Sequence, residues 1–163
     1  MGRGKRIYFQ NTVYHICIRG NNKQAVLARN EDKIAFLNSL QKYKLRFDFK
    51  LHAFVLMDNH AHLAIAATSQ NNISKIMQAV TLSYSQKFRK KYNYTGYVWQ
   101  GRFKSSIIDK EEYIFACINY MHNNPVRANI VYNARKYPWS SYHRYFEKFD
   151  PMERFISVDI YKG

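Results

Sequence analysis

The chain has 163 residues, which is the size of one domain and enough to bury a hydrophobic core without disulfide bonds. Its 26 Lys and Arg residues against 11 Asp and Glu residues give a formal net charge of +15, and 17% of its residues are aromatic. This composition is typical of proteins that bind polyanions, with nucleic acid as the leading partner. The two cysteines, Cys17 and Cys117, indicate neither a disulfide framework nor a zinc knuckle.

No apolar run approaches the roughly 18 residues that a membrane-spanning helix needs, and the first residues lack the apolar stretch of a signal peptide. We therefore expect a cytoplasmic protein with no membrane partner. We expect residues 1–163 to form a single domain, with an irregular tail after about residue 145.

Hydrophobic periodicity predicts alternating strands and helices. A tight Asp58-Asn59 hairpin should make the second and third strands antiparallel neighbours. In chain order we predict a strand over 12–19, a helix from 30 or 31 to before 50, strands over 50–57 and 60–66, a long helix capped by Asn71 or Asn72, and a strand through 107–108.

A last helix should begin at a capping box of Asp109 and Glu112, bury Tyr113 in its apolar stripe, and stop at Pro125. Paired strands alternating with helices indicate an α+β fold of the ferredoxin-like kind. We expect its antiparallel sheet to be covered on one face by helices and to carry a pair of histidines on the other.

That pair is His60 and His62, which lie two residues apart in a predicted strand and should therefore point the same way. Two parallel imidazoles can hold one divalent metal, although a hydrogen-bonded or solvent-facing pair is the commoner meaning of His-x-His alone. Tyr120 and Asn124 fall four apart on the last helix and share a face, so a tyrosine nucleophile and an oxygen ligand could meet the same ion.

Two other histidines, His15 and His122, point less clearly to a function. His122 should point to a different side of the helix from Tyr120, and we interpret it as solvent-exposed or phosphate-contacting. His15 lies on the same strand face as Cys17 and Arg19. We interpret it either as a residue that contacts a metal ligand without binding the metal or as a surface residue. The basic, aromatic loop over 90–106 is the leading candidate for contacts with nucleic acid outside the metal site.

Four motifs occur in an order that resembles single-tyrosine HUH transposases, and most of all their REP-associated tyrosine transposase branch. They are Tyr14-His15 with Arg19-Gly20-Asn21-Asn22, then 56–63 (LMDNHAHL), then 100–104 (QGRFK), and 120–128 (YMHNNPVRA). The resemblance covers about residues 5–145. This chain departs from the family pattern at Asp58, where proline is usual, and at Asn129, where glycine is usual.

The resemblance implies that His60 and His62 are metal ligands, that Tyr120 is the nucleophile and that Asn124 is the third ligand. Ligand type alone would favour zinc or another late transition metal, whereas the resemblance implies Mg²⁺ or Mn²⁺. The residues that we expect to contact nucleic acid are Arg19, Asn21, Trp99, Arg102, Lys104 and Arg127.

We therefore expect a transposase that nicks and rejoins single-stranded DNA near hairpins through a 5′-phosphotyrosyl intermediate, as a monomer or a homodimer. A non-catalytic nucleic-acid-binding protein on the same scaffold is the first alternative. A hydrolytic zinc enzyme is the second, and it is disfavoured because no glutamate follows the first histidine as in His-Glu-x-x-His.

Overall fold

The computed structural model describes residue 4, residues 6–68 and residues 72–163. Its strands and helices are β1 Val13–Arg19, α1 Asn30–Phe47, β2 Phe49–Leu56, β3 His60–Ala67, α2 Ile73–Tyr92, β4 Lys104–Ile108, α3 Glu111–His122, α4 Asn124–Arg127 and α5 Tyr142–Phe146. Short 3-10 turns occur at Asn21–Lys23 and Ala134–Lys136. Among the described residues, no helix is both long enough and apolar enough to cross a membrane.

The four strands form one sheet in the order β2-β3-β1-β4, and every neighbouring pair is antiparallel. The predicted hairpin between β2 and β3 is confirmed, since the Met57 N–H donates to the His60 carbonyl at 2.8 Å across Asp58-Asn59. The α+β class and the antiparallel sheet are therefore as predicted.

One face of the sheet packs against α1 and α2. Ile16 from β1 and Leu63 from β3 are fully buried in one cluster with Phe36 of α1 and Ile76 of α2. Because strand side chains alternate between faces, residues of the other parity on β1 and β3 point away from these two helices. His15, His60 and His62 belong to that second set.

The second face carries α3, so the sheet has helices on both faces rather than on one as expected. Ile114 and Ile118 of α3 are buried against Val55 of β2 and against Ala64 and Ala66 of β3. The two alanines leave room for the helix to approach the sheet. α3 occupies this small-residue surface, and Tyr120 near its end lies beside the histidine cluster.

The start of α3 differs from the prediction. The helix begins at Glu111 after Lys110, and no side chain caps it, so the capping box is wrong. Glu111 and Glu112 instead lie in the first turn, where negative charge stabilises a helix through its dipole. Tyr113 is 50% exposed, so its predicted burial is also wrong.

The start of α2 is as expected. The Asn72 side-chain oxygen accepts a hydrogen bond from the Lys75 backbone N–H at 2.9 Å, so Asn72 is the cap. The alternative cap, Asn71, lies outside the described residues.

Residues that follow α4 run along the outer edge of β2. Backbone hydrogen bonds of 2.8–3.0 Å join Leu56 to Trp139, Phe54 to Ser141 and Leu51 to Asp159. Residues 147–163 contain no further helix or strand. This segment nevertheless covers the edge of the sheet, and its Tyr161 ring contacts Phe115 of α3 at a centroid distance of 5.4 Å.

Candidate metal and nucleophile site

The side chains of His60 and His62 lie next to each other at the start of β3. Their ring centroids are 5.1 Å apart and their planes are nearly perpendicular, at 86°. His60 Nδ1 lies 2.6 Å from Asn59 Oδ1, and His62 Nδ1 lies 2.8 Å from His15 Nε2. Both Nδ1 atoms are therefore engaged, whereas neither Nε2 atom makes a hydrogen bond to another described residue.

These hydrogen bonds determine which ring nitrogen carries the proton. An Asn oxygen can only accept, so His60 Nδ1 carries a proton and donates it to Asn59. If His62 Nδ1 likewise donates to His15 Nε2, the Nε2 atoms of His60 and His62 both present lone pairs. This is the arrangement in which an outer hydrogen bond orients a metal-binding imidazole.

Burial keeps these imidazoles neutral. Desolvation, with smaller contributions from the charges of His15, His60, Arg127 and Arg19, lowers the pKa of His62 to about 3. Desolvation also lowers the pKa of His15 and that of His60. A neutral imidazole is the protonation state that binds a metal, so the two free Nε2 atoms fit a divalent cation.

The third predicted ligand, Asn124, is not in the same helix as Tyr120. The helix is interrupted at Asn123, where ψ is 0°, and Asn124 is the first residue of the separate four-residue helix α4. Its half-buried side chain makes no hydrogen bond to a described residue, and its role as a ligand stays a prediction. No three His, Cys, Asp or Glu side chains in the described ranges are grouped to hold a metal, so further ligands have to be amide, hydroxyl or substrate oxygens.

Tyr120 lies beside the histidines in the same chain. Its ring centroid is 6.5 Å from that of His15, and the side chain is 51% exposed. Arg127 lies over the Tyr120 ring, with the guanidinium carbon 3.7 Å from the ring centroid, and its Nη1 donates to the Tyr120 carbonyl at 3.2 Å. The Arg127 side chain thus reaches from α4 to the last turn of α3.

The predicted nucleic-acid contacts occupy two regions. Arg127 belongs to the cluster just described, and Arg19 is exposed at the end of β1 directly opposite His60 in β3. Lys104 is exposed and pairs with Cys17, which places it on the histidine face of the sheet. Asn21 lies in the 3-10 turn after β1, and Arg102 is exposed on the loop before β4.

Trp99 is only half-buried, but it is not a freestanding stacking platform. Its ring packs against Tyr84 and Phe36 at centroid distances of 5.5 and 6.0 Å. Its Nε1 donates to the Thr81 carbonyl at 3.3 Å. Only the part of the ring that faces away from these contacts is available to a ligand.

His122 is neither exposed nor free to contact phosphate, so its interpretation was wrong. It is 1% exposed, and its Nε2 lies 2.8 Å from Ser141 Oγ, which itself accepts from the Phe54 backbone N–H at 3.0 Å. Desolvation, with a smaller contribution from the charge of His143, lowers the pKa of His122 to about 4. His122 thereby joins the end of α3 to β2.

Sequence reasoning missed two supporting residues of this site, Asn59 as the partner of His60 and Ser141 as the partner of His122. Asn59 could have been found, because it directly precedes His60 in a tight turn. Ser141 could not, because it lies 19 residues after His122 and reaches it only through the fold of the segment beside β2.

Comparison with known proteins agrees with this architecture. The model of the family described as "Transposase IS200 like" matches residues 8–124, which include β1–β4 and all of α3. A Haemophilus influenzae protein described as a REP-associated tyrosine transposase is 26% identical over 126 residues, which are 71% of this chain and 69% of the relative.

Two solved structures share the fold. A REP-associated tyrosine transposase bound to a REP hairpin aligns with a TM-score of 0.74 at 18% identity, covering 100% of this chain and 93% of the other. A Deinococcus radiodurans protein described as a transposase aligns with a TM-score of 0.52 at 18% identity, covering 76% of this chain and 97% of the other. The match of the family model over most of the chain shows that this protein belongs to the IS200-like transposase family.

Proposed function

We propose that this protein is a metal-dependent transposase that nicks and rejoins single-stranded DNA through a 5′-phosphotyrosyl intermediate. The observation that carries the proposal is that, within one chain, Tyr120 lies beside His15, and His15 in turn contacts His62 in the pair of neutral imidazoles, His60 and His62, whose Nε2 atoms are free. A bound Mg²⁺ or Mn²⁺ would polarise a non-bridging phosphate oxygen and hold the scissile phosphodiester.

In this proposal the protein positions the reactants. His60 and His62 hold the metal, and Asn124 supplies a third ligand from α4. Arg127 lies against the nucleophile and close enough to His62 to affect its charge state, so its guanidinium can neutralise a phosphate bound between them. Positioning of this kind converts attack on a diester into a step within one complex.

The chemical step transfers a phosphoryl group to the protein. The Tyr120 hydroxyl oxygen attacks phosphorus and loses its proton to solvent or a nearby base, forming a bond to the 5′-phosphate of the downstream DNA. The bond from phosphorus to the 3′ oxygen breaks, and that oxygen takes up a proton to become a free 3′-hydroxyl. Because one phosphodiester replaces another, a 3′-hydroxyl can reverse the step and rejoin a strand.

The proposed substrate is single-stranded DNA next to a hairpin. The net charge of +15 supports a polyanionic partner, and a structural relative was solved bound to a REP hairpin. Tyr120 and the histidines meet within one copy of the chain, which supports a site that functions in a monomer, although a homodimer remains compatible with it. A cytoplasmic location is part of the same proposal, since both cysteines are free thiols.

The test is covalent capture of DNA. The protein is incubated with Mn²⁺ and a pool of 3′-labelled hairpins whose single-stranded flanks are randomised, and a denaturing gel detects labelled protein. Tyr120→Phe should bind the pool nearly as tightly as the parent and form no adduct, because only the attacking oxygen is removed. Tyr113→Phe, a half-exposed tyrosine of the same helix, is the matched control and should form adduct at the parental rate.

Chelation of the metal should also abolish the adduct. Adduct formation by Tyr120→Phe would assign the nucleophile to another tyrosine. If the parent binds the pool but forms no adduct with Mg²⁺ or Mn²⁺, the protein is a nucleic-acid-binding module and the proposed chemistry is wrong.

A further inference from the structure

A cavity of about 420 Å³ lies between α2 and the loop before β4, beside the end of β1. A bulge in the strand that pairs with β1 creates it. Gly20 pairs with Trp99, and Cys17 pairs with Lys104. These two pairs are separated by three positions along β1 but by five positions along the segment from Trp99 to Lys104. That segment therefore has two extra residues, which bulge outward. Gly101 has φ +61°, a left-handed conformation that glycine adopts at little cost, and it allows this bulge.

Two aromatic rings, Trp99 and Phe103, line the cavity and are held from behind. The Trp99 ring is fixed by its contacts with Tyr84 and Phe36. The guanidinium carbon of Arg6 lies 4.8 Å from the centroid of Phe103, and Arg6 Nη1 donates to the Phe103 carbonyl at 2.7 Å. The cavity therefore has rigid, flat apolar walls.

Four polar side chains that line the cavity have no hydrogen-bond or ion-pair partner among the described residues, whereas the Thr81 hydroxyl donates to the Met77 carbonyl at 2.7 Å. Ser74 and Gln78 line it from α2, and Arg19 and Arg102 line it from the two sides of the bulge. None of these four side chains makes a hydrogen bond or an ion pair within the described part of the chain. Their hydroxyl, amide and guanidinium groups are therefore available to hydrogen-bond to a polar ligand.

We propose that this cavity takes a single unpaired nucleobase of the DNA strand that is cut. Its volume is that of a small-molecule site, which spans about 300–1,000 Å³. A base can stack on Trp99 or Phe103 and hydrogen-bond to Gln78, while Arg19 and Arg102 neutralise the phosphates on either side of it. The inference rests on the proposed function, because it assumes a single-stranded DNA substrate.

The cavity adjoins the histidine cluster through Arg19. This residue lines the cavity, pairs with His60 across the sheet, and contributes to the lowered pKa of His60 and His62. A base in the cavity would therefore belong to a nucleotide close to the scissile phosphate. Occupation of the cavity would fix which phosphodiester reaches Tyr120.

The first experiment uses the fluorescence of Trp99. The chain has two tryptophans, so Trp139→Phe leaves Trp99 alone. This protein is titrated without metal with each of the four deoxynucleoside 5′-monophosphates and with deoxyribose 5-phosphate, which has no base. We expect saturable quenching by at least one nucleotide and none by the sugar phosphate. Equal quenching by the sugar phosphate would show that the site recognises phosphate only, and would overturn the proposal.

A matched pair of variants tests the lining. Gln78→Leu removes the amide from the cavity, whereas Gln86→Leu makes the same change two turns farther along α2, at another exposed position outside the lining. Gln78→Leu should weaken nucleotide binding by about 5-fold to 10-fold, the effect of losing hydrogen bonds to the base, and Gln86→Leu should not weaken it. Equal affinity of both variants and the parent would overturn the assignment to this cavity.

The second experiment compares a single-stranded 12-mer of mixed sequence with an abasic 12-mer of equal charge. Affinity should fall by about 10-fold or more without the bases, and much of this difference should disappear in Gln78→Leu. Equal binding of the two 12-mers, together with no quenching by any nucleotide, would refute a base site. Neither experiment needs metal or cleavage. If the parent forms the adduct but its binding does not depend on bases, only the base site is contradicted. If binding depends on bases but no adduct forms, the proposed nuclease function is contradicted instead.

Discussion

His15 Nε2 lies 2.8 Å from His62 Nδ1, and the two rings stack at a centroid distance of 5.0 Å. This contact links adjacent strands, because His15 is on β1 and His62 is on β3. His15 thereby orients the second of the two proposed metal ligands without being a ligand itself.

His15→Leu should weaken metal binding, because His62 loses the partner that fixes its tautomer and ring orientation. Loss of such an outer hydrogen bond typically lowers metal affinity by about 10-fold to 100-fold. We expect the Mn²⁺ concentration for half-maximal adduct formation to rise by that factor. His15→Gln keeps an acceptor and should show a smaller rise. An unchanged metal dependence in His15→Leu would mean that His62 does not bind the metal.

Arg127→Ala should slow adduct formation more than it weakens DNA binding, because Arg127 holds both the ring and the carbonyl of Tyr120. A cation–π contact of about 0.5–2 kcal/mol corresponds to about a 2-fold to 30-fold loss of rate at saturating DNA. Arg127→Lys keeps the charge but not the planar fork, so it should restore only part of the rate. The control, Arg135→Ala, removes an exposed arginine that pairs with Glu147, and it should leave the rate unchanged.

DNA binding should depend on salt through the loop before β4. For single-stranded DNA the log-log slope is about −0.7 per phosphate neutralised, so replacing Arg102 and Lys104 together with Ala should flatten it by up to ~1.4. Replacing Lys148 and Arg154 removes the same charge from an exposed region near the end of the chain and should flatten the slope less. Equal slopes for the two double variants would place the DNA path elsewhere.

Folding stability should fall at mildly acidic pH because of His122. Its pKa is about 4 in the folded protein and about 6.5 in the unfolded chain, so between these values the unfolded state binds the extra proton. The stabilisation is complete above pH 6.5 and is lost as the pH falls to about 4, with a total of about 3 kcal/mol. Denaturant unfolding at several pH values should show this loss, and His122→Asn should show a shallower dependence. The same pH dependence in both proteins would contradict the assignment.

The sequence predicts the site best where the geometry of neighbouring residues alone sets the positions of the side chains. The two-residue alternation of β3 places His60 and His62 on one face, and the hairpin at Asp58-Asn59 brings Asn59 to His60. The departure from the family at Asp58 is explained by the structure, since its carboxylate accepts from buried Lys33 at 2.8 Å. That partner lies 25 residues earlier and is not visible in the motif.

Prediction fails where distant segments meet. The burial of His122 depends on Ser141 and on the rings of Tyr142 and Tyr145 in α5, which fold back over the end of α3. The separation of Asn124 from the helix of Tyr120 depends on one backbone angle at Asn123. The sequence predicts that the helix stops at Pro125, but α3 ends at His122, and Pro125 lies within α4.

The hydrogen bonds along the outer edge of β2 limit how this chain can be shortened. The family match ends at residue 124, yet the partners of Leu51, Phe54 and Leu56 all come from residues 139–159. A fragment ending at residue 124 would keep Tyr120 and both histidines but would expose the unpaired N–H and C=O groups of an apolar strand. Exposed strands of this kind pair with other chains. Such a fragment should therefore self-associate into aggregates, because residues 139–159 protect the edge of β2 from pairing with another chain.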